Sequence, residues 1–268
     1  MSDLFAAAAR CISEPDPAEK IRLTRLHAEC WKRGELSMDH RAEVEEIGPP
    51  GRPTLPELVP PNEVPFRGMG TPEARAALIH ALAHIEFNAV NLAWDAVYRF
   101  RNLPDEYYSD WVGVAVDEAL HYELLRERLV HYGFEYGDFV AHNGLWEMAT
   151  KTADSLVARM ALVPRVLEAR SLDVTPGIIT RFRSAADPDS AAVIEIIQRD
   201  ELGHVEAGSR WYRYACAAVG LDPVREFRHL VALYMNGRVK PPFNEQARRE
   251  AGFNDEEIEG LREMLAGG

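Results

Sequence analysis

The sequence predicts an all-α fold: a four-helix bundle, preceded by a helix and a proline-rich strap and followed by a C-terminal extension. Three observations carry the prediction. Four long stretches repeat apolar residues at intervals of three and four, the pattern of helices with one buried face. Two of these stretches contain the same motif, D-E-x-x-H-x-E, as Asp117-Glu118-Ala119-Leu120-His121-Tyr122-Glu123 and Asp200-Glu201-Leu202-Gly203-His204-Val205-Glu206. The other two each carry a lone glutamate in the apolar stripe, Glu86 and Glu168, standing 32 and 33 residues ahead of Glu118 and Glu201.

The elements follow in order. Residues 17–34 read as an amphipathic helix with Ile21, Leu23, Leu26 and Trp31 among its apolar positions and Gly34 as its stop. Residues 48–65 hold seven prolines, a density that forbids helix and favours an extended strap. Thr71-Pro72 then offers a hydroxyl cap and a proline at the first helical position. The first bundle helix spans about 72–101, with a seam of Ile79, Leu82, Glu86, Ala89, Ala93, Val97 and Phe100. The second spans about 105–132, with Trp111, Val114, Glu118, His121, Leu125 and Tyr132, and ends at Gly133. Residues 134–145 form a longer connection. The third helix is expected over about 146–172, kinked at Pro164 one turn before Glu168, because proline removes an amide from the ladder. A loop or short helix fills 173–188. The fourth helix covers about 189–219, with Ile194, Ile197, Glu201, His204, Gly208, Trp211, Ala215 and Val219 in line. Asp222-Pro223 opens the C-terminal extension, which contains the loop-like Lys240-Pro241-Pro242-Phe243-Asn244. The chain thus divides into 1–70, 71–220 and 221–268.

Composition narrows the classes of function. Apolar residues make up 47% of the 268, enough for a substantial core. The net charge of −13 disfavours nucleic acid and anionic membrane as partners. Cys11, Cys30 and Cys216 are scattered, so they predict reduced thiols and no zinc site or disulfide framework. The start, Met1-Ser2-Asp3-Leu4, lacks the basic and apolar regions of a secretory signal, and a cytoplasmic location is expected.

The paired motifs carry the chemistry. Residues three apart on a helix share a face, so Glu118 and His121 can address one metal ion, and Glu201 and His204 another. Carboxylate oxygen with imidazole nitrogen suits iron, manganese or zinc. Four carboxylates in apolar seams are prohibitive without compensation, since desolvation and mutual repulsion both oppose ionisation. Two divalent ions balance them. The plain alternative is a buried salt-bridge network, which often gains nothing over an apolar core. Near Glu168, Arg165 and Arg170 are alternative partners. Glu226-Phe227-Arg228-His229 reads as a chance match, and Glu195 as a solvated residue off the Glu201 face. Asp117 and Asp200 are either surface aspartates or acceptors that fix the tautomer of the ligand histidines. His80 and His84 read as interhelical hydrogen-bonding or surface residues, and Tyr122 and Trp211 as core.

Glu86, Glu118-x-x-His121, Glu168 and Glu201-x-x-His204 resemble the ligand set of the ferritin-like di-iron carboxylate superfamily over about residues 72–219. The strap, His84-Ile85-Glu86 and Pro241-Pro242-Phe243-Asn244 more closely resemble a bacterial and plant family of ferritin-like proteins with no established function. The resemblance implies two iron ions, or two manganese or a mixed pair, with Asp117 and Asp200 bonded to histidines. Leu120 and Gly203 stand where many members have arginine, which separates the chain from the multicomponent monooxygenases and ribonucleotide reductases. The implied activity is O₂-dependent oxidation or hydroxylation of a small organic substrate, with electrons from an external donor. The chain has neither a cysteine cluster nor a dinucleotide fingerprint of its own. Ferroxidase chemistry, manganese catalase-like peroxide disproportionation and a metal-stabilised scaffold are the alternatives, and a homodimer is one expected role for the appendages.

Overall fold

The computed structural model describes residues 2–41, 44–65, 68–235 and 239–266, so short parts of the expected 1–70 segment and of the C-terminal extension lie outside it. The fold is all-α. The regular strand structure among the described residues is one two-residue parallel pair, β1 (Ser2–Asp3) with β2 (Leu36–Ser37). The chain divides into two compact units, Met1–Glu147 and Met148–Gly268. Each joins one appendage to one pair of long helices, a division that cuts across the three expected segments.

The first unit begins with α1 (Leu4–Ser13), a helix that the sequence reading left out, capped by the Asp3 carboxylate on the Phe5 and Ala6 amides. Next, α2 (Pro17–Lys32) starts on an Asp16 cap with Pro17 at its first position. Gly34, at φ 70°, takes the left-handed turn beyond it. The strap is stitched down by backbone bonds. Gly51 donates to the Ile12 carbonyl, Val59 to Ala141, and Ala141 to Glu57. A side chain on Gly51 would collide with the Ser13 carbonyl, so this close approach requires glycine.

The long pair is α3 (Pro72–Arg99) and α4 (Asp105–His131). Thr71 caps α3 by accepting the Ala74 amide at 3.1 Å, with Pro72 at the first helical position as expected. The two helices pack along each other, with α1 against α3 and α2 against α4. Ile79, Ala89, Ala93, Val97, Trp111, Val114 and Leu125 are buried at this junction, alongside Glu86, Glu118 and His121.

In the second unit the third bundle helix differs from its expected form. Instead of one helix over 146–172, α5 (Gly144–Lys151) stops before a break, and α6 (Leu156–Leu162) restarts on a Ser155 cap. A π-helical turn, Val163–Glu168, leads into α7 (Ala169–Ser184). The expected kink at Pro164 takes the form of this widened turn, which absorbs the missing proline amide while the helix continues. The expected loop or short helix over 173–188 is correspondingly helix to Ser184, with Pro176 inside it. Asp187 and Pro188 then open α8 (Pro188–Val219), closed by left-handed Gly220. Gly208 of α8 faces Pro164, since a Cβ there would stand 2.4 Å from the proline Cβ. Helices α9 (Pro223–Met235), α10 (Glu245–Glu250) and α11 (Asp255–Ala266) pack against α6, α7 and α8 or against one another.

Candidate metal centre

The first unit builds a buried trio. Helix α3 delivers Glu86, and one turn of α4 delivers Glu118 and His121, all buried. Each offers a ligand atom, and these atoms lie within 4.8 Å of one another. His121 Nδ1 stands 3.3 Å from Glu118 Oε2 and 3.5 Å from Glu86 Oε2. A charge-assisted hydrogen bond settles at about 2.7–2.9 Å, so both contacts are long for one shared between two carboxylates. Two ligand atoms about 2.1 Å from a shared cation, subtending a little over a right angle, stand about 3.3 Å apart. The observed spacing is compatible with that edge length. Charge supports the same reading. Burial, then the Glu118 carboxylate, holds the Glu86 carboxyl well above its usual range. Burial pulls the His121 imidazole down, but Glu118 and Glu86 outweigh it and carry it up to about 11.

The second unit repeats the Glu-x-x-His turn. Glu201 and His204 occupy one turn of α8, both buried, with His204 Nδ1 3.3 Å from Glu201 Oε1. Glu168 ends the π-helical turn and is also buried. The Ser171 hydroxyl, three residues on, lies 2.7 Å from the Glu168 carbonyl and 2.7 Å from Glu201 Oε2. It therefore ties the Glu168 turn to the Glu201 carboxylate. Both half-sites combine buried carboxylate and imidazole donors, a set compatible with a hard or borderline divalent ion.

Residues 13–259 match the family described as "Protein of unknown function (DUF455)". The chain belongs to that family. A relative from Haemophilus influenzae, an "Uncharacterized protein", is 44% identical over 219 residues, which covers 79% of this chain and 76% of the relative. No solved structure matches.

In this DUF455 chain the remaining candidates fall into place within each unit. Arg165 pairs with Glu257 at 2.6 Å and Arg170 with backbone carbonyls of residues 240–242, so the ion pairs given to these two arginines lead away from Glu168. Glu195 pairs with Arg183 at a half-exposed position, in keeping with a solvated residue. Glu226 is half-buried and His229 exposed on α9. Asp200 accepts the guanidinium of Arg199, and Asp117 is half-buried. His80 and His84 bind the 134–143 connection. The Gly137 amide donates to His80 Nε2 at 3.0 Å, and His84 Nδ1 lies 2.9 Å from the Tyr136 hydroxyl. Tyr122 and Trp211 are core residues. Sequence reasoning missed Ser171, although Glu168-x-x-Ser171 has the same one-turn spacing as the ligand motifs. It also missed Lys20, which lies wholly buried between α1, α2 and α3.

Proposed function

We propose that the two half-sites hold a pair of metal ions, iron in the cell, and that the chain is an O₂-activating oxidase or hydroxylase acting on a small organic substrate. One observation carries the proposal. The same Glu-x-x-His turn occurs in both units, each with its imidazole Nδ1 3.3 Å from the carboxylate one turn before it. In this reading the chain belongs to the ferritin-like di-iron class, whose ligand pattern is a lone glutamate and a Glu-x-x-His turn, each twice. Glu86, Glu118 and His121 would hold one ion, and Glu168, Glu201 and His204 the other. Two divalent ions balance four carboxylates, and the histidines then ligate as neutral imidazoles. A bound ferrous pair supplies the electrons and the open coordination positions that O₂ chemistry requires.

The protein's own residues do the rest. Phe87, Tyr122, Trp211 and Val205 keep water from the ligand turns of their respective units. Asp117 and Asp200 orient His121 and His204, and Ser171 orients Glu201. Further electrons come from a separate cytoplasmic donor. The deciding measurement is metal identity and occupancy in the chain purified without added metal, followed by O₂ uptake of the reduced protein. Two irons with O₂ consumption support the proposal. Two manganese ions with peroxide disproportionation redirect it to catalase-like chemistry, and a single zinc overturns it.

A further inference from the structure

The metal-centre reading leaves the C-terminal extension without a role, yet the extension grips the segment around Glu168 at three points. The Arg165 guanidinium, with no exposed side-chain surface, donates to Glu257 Oε1 of α11 at 2.6 Å and to Ser209 Oγ at 3.2 Å. The rings of Phe253, Tyr212 and Phe227 surround it at 4.2, 4.7 and 4.8 Å. Arg170 donates to the carbonyls of Lys240, Pro241 and Pro242 at 2.7–2.8 Å. Buried Asp173 accepts both Nε and Nη2 of Arg248, at 3.0 and 2.7 Å, and the Asn244 amide at 2.9 Å. These residues stand three before, two after and five after Glu168. The turn they flank is π-helical and contains Pro164, so its own backbone ladder is weaker than that of a regular helix. The isolated cost of burying the Arg165–Glu257 pair makes it a poor stabiliser but a good device for fixing one arrangement.

We propose that the C-terminal extension is a positioning clamp for Glu168: Glu257, Arg248 and the 240–242 turn hold Arg165, Arg170 and Asp173, and through them fix the carboxylate against Glu201 and His204. This rests on the metal-centre reading, with Arg165, Arg170 and Asp173 acting on the ions through Glu168. Glu257 also caps α11, since its Oε2 accepts the Asn254 amide at 2.9 Å and its own amide donates to Asn254 Oδ1 at 2.8 Å. Glutamine serves equally in that cap, so Glu257→Gln removes the charge facing Arg165 and leaves the helix start intact.

The test is cobalt(II) titration of the metal-stripped full-length chain, followed by absorption spectrum and bound stoichiometry. Wild type, Arg170→Ala, Glu257→Gln, Glu168→Ala and the Arg170→Ala/Glu168→Ala pair are compared. Wild type binds two ions. Arg170→Ala and Glu257→Gln each weaken one of them by about tenfold or more and change its spectrum, while the other ion and the helical content stay as in wild type. The double variant loses no more than Glu168→Ala alone, a non-additivity that general loss of stability does not produce. Variants that titrate as wild type, additive losses, or loss of both ions together with helicity overturn the clamp. Wild type that binds no cobalt overturns the metal centre itself, so the two failures are distinct.

Discussion

Lys20 has its whole side chain buried, with Nζ donating to the Cys11 and Ile12 carbonyls at 2.9 Å and to Asn91 Oδ1. It therefore closes the C-terminal end of α1 and ties α1 and α2 to α3. Burial pushes the ammonium down to about 7, against the pull of Glu14. The unfolded chain holds this proton to about pH 10.4. Between these values the unfolded state binds more protons than the native one, so the Lys20 contribution makes stability rise as pH increases from 7 to 10.4. Below pH 7 the charge is present in both states and its burial cost is felt in full. Lys20→Met leaves carbonyls of α1 short of a donor and lowers stability at neutral pH by about 1–3 kcal/mol. Thermal melts at several pH values between 7 and 10 check both statements: the rise is present in wild type and flattened in the variant. Parallel profiles would show that Lys20 stays charged in the native chain.

At the level of elements, the Glu168 turn depends on the fit between Pro164 and Gly208. A methyl group at Gly208 would meet the proline ring at 2.4 and 2.6 Å, and a ring locked into the backbone cannot swing aside. Gly208→Ala therefore forces α8 and the π-helical turn apart, at about 1–3 kcal/mol for an overpacked contact. A lower melting temperature with helical content retained is the expected result, and a variant as stable as wild type would show that the turn yields easily. The same pair marks the limit of what sequence alone conveys. Three of the expected long helices, the cap at Thr71 and the stop at Gly133 follow local rules of hydroxyl caps, proline starts and left-handed glycines. The seam positions of Glu86, Glu118, His121, Glu201 and His204 were legible because a polar residue in an apolar stripe has no local reason to be there. Pro164 signalled a disturbance but not its form, because kink and π-helical turn both answer a lost amide and packing against Gly208 is a long-range matter. Helix α1 was legible but overlooked: Asp3 offers a cap, and Leu4, Phe5, Ala8, Cys11 and Ile12 fall on one buried helical face. Lys20 was missed because a lysine on an amphipathic helix is normally solvated, and only the tertiary arrangement supplies its three acceptors.

For the whole molecule, the proposed ions bind only the native chain, so ion binding and stability are linked. A ligand that binds only the native state stabilises it by about 2.7 kcal/mol when present at a hundred times its dissociation constant. With about 2–4 °C of melting temperature per kcal/mol for a domain of this size class, loading with metal raises the melting temperature by about 5–10 °C, and a chelator reverses the gain. The isosteric variant Glu86→Gln separates this linkage from ordinary core packing. Burial and the Glu118 carboxylate already favour the protonated form of Glu86 in the metal-free chain, and a glutamine amide matches that form in size and charge. Glu86→Gln therefore melts close to wild type without metal, whereas most of the metal-induced rise disappears. Calorimetry of both proteins, with and without one divalent ion and its chelator, gives the four temperatures required. A buried salt-bridge network makes the opposite forecast: Glu86→Gln would lower the metal-free melting temperature by removing a partner of His121, and added metal would shift neither protein. The four carboxylates are then a cost that the chain bears without metal and recovers when two cations bind.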